Sequence, residues 1–313
     1  MTRARGVVLH LGVIALLFFL QFVLPPYHHT NIARIMVLAV FAMGYNIAFG
    51  YTGLLSLGHA LFFAAGLYAT GLGVDLFGLS ATPALVAGLL AGAGLAAATG
   101  VLALRTGGVS FMIVTLMFAQ TGYLTILYFG RYTRGDEGFV IARTARAIGS
   151  FDFSAPTPRY FTALALFAAA LLINLALTRS ALGRSMIGMR ENEERSRMLG
   201  YNPFRVKLIA LTLSGLYAGA AGAVYAMLFG YGGASFASVQ YSILPLLYVL
   251  LGGAGTVLGP FVGALLMFYL IDIASAYTSA HLFVLGGALL VLVLFAPEGI
   301  LGAIRARGAK WLP

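Results

Sequence analysis

The stretch NIARIMVLAVFAMGYNIAFGYTGLLSLGHA, residues 31–60, decides the fold. Its first twenty residues are apolar apart from Asn31, Arg34 and Asn46. At 1.5 Å of helical rise per residue, such a run crosses a hydrocarbon core about 30 Å thick. It ends in Gly50-Tyr51-Thr52-Gly53-Leu54-Leu55-Ser56-Leu57-Gly58-His59, a Gly-rich interruption without a formal charge, and a second apolar run follows at once. Irregular backbone at membrane depth is tolerated only where it is buried in protein or lines a wet cavity, as in the broken helices of transporters. The runs are continuous rather than alternating, which argues against a transmembrane barrel.

The whole chain extends this pattern. Of 313 residues, 61% are hydrophobic and 9% are charged, too few charges to clothe a soluble surface. Cysteine is absent, so thiol chemistry, disulfides and Cys-bound metal are excluded. Apolar stretches fall near 7–24, 31–50, 54–74, 82–104, 109–130, 160–178, 205–229, 241–256, 258–277 and 280–297. The chain reads as an all-α polytopic membrane protein of about ten transmembrane helices, eight at the least, in a single transmembrane domain over 1–313.

Charge placement sets the expected topology. Arg3 and Arg5 put the N-terminus in the cytoplasm, and Arg305, Arg307 and Lys310 do the same for the C-terminus. Ten spans satisfy both ends and place the loop at 179–204 inside. The loop at 131–159 is then periplasmic, against the pull of its five arginines. The net charge of +10 belongs to segment ends and loops rather than to one soluble basic face, so no nucleic-acid partner is expected. Residues 7–24 imitate a signal peptide, but Val23-Leu24-Pro25-Pro26 offers no small-residue cleavage site, and a retained first span is expected.

Two further interruptions stand inside apolar sequence. Thr106-Gly107-Gly108 reads as a tight turn, whereas Gly252-Gly253-Ala254-Gly255 with Gly259-Pro260 reads as a second functional break. Asn46, Ser56, His59, Gly252, Gly253 and Gly255 are therefore the candidate translocation path. From 179 to 207 the chain carries seven basic and three acidic residues, its densest charge. Helical spacing there predicts a short amphipathic helix ended by Gly200, of the kind that docks in a partner's groove or lies solvated on the surface.

Chemistry is sparse. No Gly-x-x-x-x-Gly-Lys-Ser/Thr occurs, so the chain carries no P-loop of its own. His28-His29 lacks the spaced partners of a metal site, and no metal is expected. Ser56 and His59 sit too close on one element, with no orienting acid, to form a nucleophile and base. Asp272 and His281 lie in or beside the last two spans, Asp272 toward an outer end where it is interfacial or functional, and no chain of ionisable groups crosses the membrane for a proton-coupled carrier.

Arg190-Glu191-Asn192-Glu193, Leu199-Gly200-Tyr201-Asn202 and Lys207-Leu208 closely resemble the cytoplasmic loop of M-type permeases in the high-affinity branched-chain amino-acid ABC transporter family. Gly53-Leu54-Leu55-Ser56-Leu57-Gly58-His59-Ala60 is similar to that family's N-terminal signature. Asp136-Glu137-Gly138-Phe139 is similar to its periplasmic element, with Arg134 where a Gly is usual. Leu251-Gly252-Gly253-Ala254-Gly255 and Ala296-Pro297-Glu298-Gly299 complete a resemblance over roughly 35–303. It implies a non-enzymatic permease subunit of an importer in the bacterial inner membrane. The implied partners are a second homologous permease, two cytoplasmic ATPases that hold ATP and Mg, and a periplasmic binding protein. It also implies that Arg190, Glu191, Glu193, Glu194 and Gly200 couple the chain to the ATPases, although Arg195-Ser196 departs from the usual Ala-Ala. Branched-chain amino acids are the expected substrate, with urea or short amides as the alternative within the family. An ion-coupled secondary carrier is the alternative outside it.

Overall fold

The computed structural model describes residues 2–148, 151–277 and 298–307, with a few positions between 280 and 296. Seven of its helices are long and apolar enough to cross a membrane. They are α1 (Thr2–Val23), α2 (Pro26–Asn46, prolonged by a π-turn over Ile47–Tyr51), α4 (Ala81–Ala103), α5 (Val109–Tyr128), α7 (Pro156–Arg179), α10 (Pro203–Phe229) and α12 (Gly259–Tyr277). Two shorter apolar helices, α3 (His59–Asp75) and α11 (Val239–Gly252), lie between them in the chain. One helical turn, α6 (Gly130–Thr133), follows α5. The tenth expected span, 280–297, lies largely outside the described residues. A short helix, Gly299–Arg307, closes the chain.

The helices assemble on small residues. Lipid is as apolar as leucine, so helices in a bilayer gain from close backbone approach rather than from hydrophobic exclusion. A Cβ added at Gly66 of α3 would stand 2.1 Å from the Gly219 carbonyl of α10, and one at Gly92 of α4 would stand 2.5 Å from Gly219 Cα. These contacts draw α3, α4 and α10 into one stack. α2 packs on α7, α10 and α12 and is buried along almost its whole length, whereas α1 and α5 are mostly exposed.

Two clusters mark the two ends of the bundle. At one end α8 (Ala181–Glu191) and α9 (Glu193–Met198) link α7 to α10. At the other lies the 131–159 loop, where β1 (Phe139–Val140) pairs antiparallel with β4 (Tyr231–Gly232), and β2 (Ala147–Ile148) with β3 (Phe151–Asp152). Phe139 is buried there, edge-on to Tyr68 of α3. α1 runs antiparallel to α7, with the Tyr160 hydroxyl donating to the Leu17 carbonyl at 2.6 Å and Phe18 packed on Phe161. The N-terminal end of α1 therefore shares the α8–α9 side, and so does the C-terminal helix, whose Gly299 abuts Gly253.

Two expectations change in detail. The span expected from residue 54 begins only at His59, because Gly53 (φ +75) turns the chain and residues 52–58 run non-helically. Where one short amphipathic helix ended by Gly200 is expected, the 179–204 loop holds two helices. Asn192 leaves helical geometry (φ −159, ψ 104), and its side chain accepts the Arg195 N–H at 2.8 Å, capping α9. Gly200 takes the left-handed conformation (φ +88) that ends the element, a place glycine fills without strain.

Candidate functional site

The sequence-predicted residues gather where two helix breaks meet the α8–α9 link. Asn46, fully buried, closes α2 and clamps the second break from both sides. Its Nδ2 donates to the Thr256 carbonyl at 2.9 Å, and its Oδ1 accepts the Gly255 N–H at 2.9 Å. Gly50 fits beneath this clamp because it has no side chain: a Cβ there would stand 2.7 Å from Gly255 N. Arg190, near the end of α8, donates through Nη1 to the Gly50 carbonyl. One guanidinium thus joins α8 to the π-turn, and one amide joins the end of α2 to the 252–256 segment.

The non-helical segment after Gly53 and the first turn of α3 each hand a backbone donor to a hydroxyl on a neighbouring helix. Leu57 N–H is accepted by Thr115 Oγ1 of α5 at 3.1 Å, and Ala60 N–H by Ser242 Oγ of α11 at 2.9 Å. Ser56 Oγ accepts the Gly58 N–H at 3.2 Å. Side-chain hydroxyls can take over backbone groups at a helix break in this way. Thr115, Ser242 and Thr256 were not picked out by sequence. The hydroxyls of Thr115 and Ser242, inside apolar helices, carry no local signal of the distant backbone they serve, and Thr256 takes part through its backbone carbonyl.

His59 opens α3 from inside the bundle, with no exposed surface. Ser214 Oγ donates to the Gly44 carbonyl at 2.6 Å, so its 2.5 Å contact with His59 Nε2 requires that ring nitrogen to carry the proton. Nδ1 is then the bare nitrogen, buried and without a partner among the described residues. Asn46, Ser56 and His59 are all wholly buried, and Gly252 and Gly253 are buried too. A cavity of about 660 Å³ beside them is lined instead by Phe49, Ala254, Thr256, Arg190, Glu298 and Arg305, among others.

Of the expected coupling residues, two are tied to the bundle and three face outward. Besides Arg190, Glu193 accepts from Lys207 of α10 at 2.5 Å and lies 3.6 Å from Arg197. Glu191, Glu194 and Gly200 are exposed, with Glu194 3.6 Å from Arg197. Next to them Met198 and Leu199 are 85% and 72% exposed. Paired apolar side chains standing off a charged element favour contact with another protein. Clefts of about 570 and 600 Å³ flank the Glu193–Lys207 pair, both edged by Thr106-Gly107, which forms the turn expected between α4 and α5.

A bundle of apolar helices with broken segments, joined to an outward-facing pair of short helices, is a polytopic membrane permease. Residues 30–294 match the family model described as "Branched-chain amino acid transport system / permease component", and the chain belongs to that family. It is 31% identical over 297 residues to the high-affinity branched-chain amino acid transport system permease protein LivM of Escherichia coli (strain K12), covering 86% of this chain and 69% of that one. The LivM protein of Salmonella typhimurium is 29% identical over the same shares. The ribose import permease protein RbsC of Escherichia coli (strain K12) is 27% identical over 246 residues, covering 74% of this chain and 72% of its own. No solved structure matches the chain. The chain is thus a permease component of an ABC transporter, not its catalytic subunit.

Proposed function

We propose that this chain is one permease half of an ATP-driven importer that moves branched-chain amino acids across the bacterial inner membrane by alternating access. The observation that carries the reading is the link from α8 through Arg190 to Gly50, and from there through Asn46 to Gly255 and Thr256. A push on α8 and α9 would reach both helix breaks without crossing a flexible element. In this reading Arg190, Glu191, Glu193, Glu194 and Gly200 form the coupling element. Asn46, Ser56, His59, Gly252, Gly253 and Gly255, mostly buried in this conformation, would line the translocation path when the two breaks move.

The partners are a second, homologous permease, two ATPases with their ATP and Mg, and a periplasmic binding protein. Both termini and the α8–α9 element would face the cytoplasm, which the clusters of arginine on that side support. The apolar spans suit a small zwitterion with an apolar side chain, because a charged solute would need a compensating group at the midplane. The names of the LivM relatives favour branched-chain amino acids, while the ribose permease among the relatives leaves the solute a matter for measurement.

The test is reconstitution. Tagged chain should co-purify with an ATPase and a second permease, and leucine uptake should require ATP and the binding protein. Charge reversal of Glu193 and Glu194, or Gly200→Pro, should abolish the stimulation of ATP hydrolysis by the loaded binding protein while membrane insertion persists. Transport by the chain alone on a proton gradient would replace this reading with a secondary carrier. A cognate binding protein that takes urea and not leucine would change the solute alone.

A further inference from the structure

The end of α10 opposite the α8–α9 link gathers three guanidinium groups, two of them over one aromatic ring. Arg34 of α2 places its Cζ 4.9 Å from the centroid of Phe229, and Arg159 of α7 lies 5.7 Å from the same centroid. Arg146, from the turn Arg143–Arg146, packs against Gly230, where an added Cβ would stand 2.5 Å from its Cζ. Its Nη1 reaches the Leu228 carbonyl at 3.5 Å, and Arg159 Nη2 donates to the Ser154 carbonyl at 2.5 Å. The Nε atoms of all three are buried and without a hydrogen-bond partner among the described residues.

No acidic residue of the chain forms an ion pair with these three arginines. The nine Asp and Glu of the sequence all lie among the described residues, and none is in a salt bridge with Arg34, Arg146 or Arg159. Asp152 lies within electrostatic reach of Arg146 and Arg159. Its oxygens already accept from Ser154 N–H at 2.8 Å, Ser154 Oγ–H at 2.6 Å and Arg143 Nε at 3.2 Å. Like charges in a half-buried site repel strongly, and buried donors without acceptors add to the cost. The face of Phe229 and the carbonyl end of α10 supply part of the compensation.

We propose that Arg34, Arg146 and Arg159 form an oxyanion-binding site that takes a carboxylate or phosphate group at the membrane face opposite the coupling helices. Guanidinium forks match the spacing of two oxygens on either group, and Phe229 serves as a common platform for two of them. Two sources carry this chemistry: the carboxylate of a small solute arriving at that face, and the phosphate of a lipid headgroup. The site follows from the arginine geometry and stands whether or not the chain transports amino acids.

The experiment uses the full chain with its co-purifying partners in maltoside detergent, stripped of lipid. Thermal unfolding is followed during titration with leucine, with leucinamide, which lacks the carboxylate, and with phosphatidylglycerol. The midpoint rises saturably with leucine or with phosphatidylglycerol, but not with leucinamide. A response to leucine assigns the solute as ligand, and a response to phosphatidylglycerol assigns the lipid. Arg34→Gln and Arg146→Gln each weaken the responding ligand at least ten-fold. Arg146→Lys, which keeps the charge and loses the fork, weakens it less and serves where a Gln variant fails to fold. No response of the unsubstituted protein to either oxyanion, or an undiminished response in the variants, overturns the site.

Discussion

Arg190, at the end of α8, donates to the carbonyl of Gly50 and so holds the π-turn that follows α2. A π-turn leaves backbone carbonyls without regular helical partners, and a guanidinium can take such an acceptor while its charge stays near water. Arg190→Ala removes the donor and frees α8 from the break. The ratio of solute transported to ATP hydrolysed should fall at least ten-fold in proteoliposomes of the assembled importer. Arg190→Lys, which keeps one donor, should retain part of it. Unchanged stoichiometry in Arg190→Ala would show that the push travels by another route.

Asn46 satisfies two backbone groups of the 252–256 segment with one side chain. Replacing it by Ala leaves the Gly255 N–H and the Thr256 carbonyl unpaired in a buried place. Each such group costs about 1–3 kcal/mol. Asn46→Ala should therefore lower the thermal midpoint in detergent clearly, with the loss centred on the junction of α11 and α12. Hydrogen exchange at Gly255 is the direct measurement, and its protection should fall.

The membrane class, the order of the spans and the two breaks were legible because each is written locally, as a run of apolar residues or a cluster of glycines. The α8–α9 element was legible as charge density, but its division at Asn192 was not, since Asn inside a helical pattern and Asn as a cap look alike until the backbone is seen. Asn46 and His59 stood out as polar residues in apolar sequence. Their partners Thr256, Gly255 and Ser214 lie more than 150 positions away, and no spacing rule reaches that far. The cluster of Arg34, Arg146 and Arg159 was hidden for the same reason, as its members come from three separate elements.

Arg134 has φ +64 and ψ 9, a left-handed conformation at the end of α6, where the resembling family usually has Gly. A non-glycine residue there costs about 1 kcal/mol or more against its Cβ. The return is an exposed contact with Asp75 at 3.9 Å, a type of pair worth about 0–1 kcal/mol. Arg134→Gly should leave stability unchanged or raise it by up to about 1 kcal/mol, read as an equal or higher thermal midpoint. A lower midpoint would mean that the Asp75 contact outweighs the backbone.

Asp152 ties the 131–159 loop together by accepting from Ser154 and Arg143, and the Ser154 hydroxyl above all holds its carboxyl below the usual carboxylate range. A group whose pKa is depressed in the folded state lends stability above its unfolded value and loses it as pH falls through the folded one. Protection of the Ser154 amide from exchange should therefore decline below about pH 3.8, the ordinary value for this group. Asp152→Asn should show weaker protection that no longer depends on pH in that window.

Gly66 and Gly219 lie at a close approach of α3 to α10, since a Cβ on Gly66 would stand 2.1 Å from the Gly219 carbonyl and 2.6 Å from its Cα. Both atoms belong to the backbone of a packed helix, so no side-chain rotation can relieve the overlap. Gly219 is pinned from its other side by Gly92 of α4, and movement of α10 would disturb that contact as well. Overpacking a core costs about 1–3 kcal/mol when side chains can shift, and the backbone case lies at the upper end or beyond. Gly66→Ala should lower the thermal midpoint sharply and reduce the yield of folded protein. Gly94→Ala on α4, with nothing within 4 Å of the added Cβ, is the matched control. There Ala should be neutral or stabilising by up to about 1 kcal/mol, because it lowers the entropy lost on forming the helix. Equal loss in both variants would trace the effect to glycine as such, and the close approach of α3 and α10 would no longer account for it.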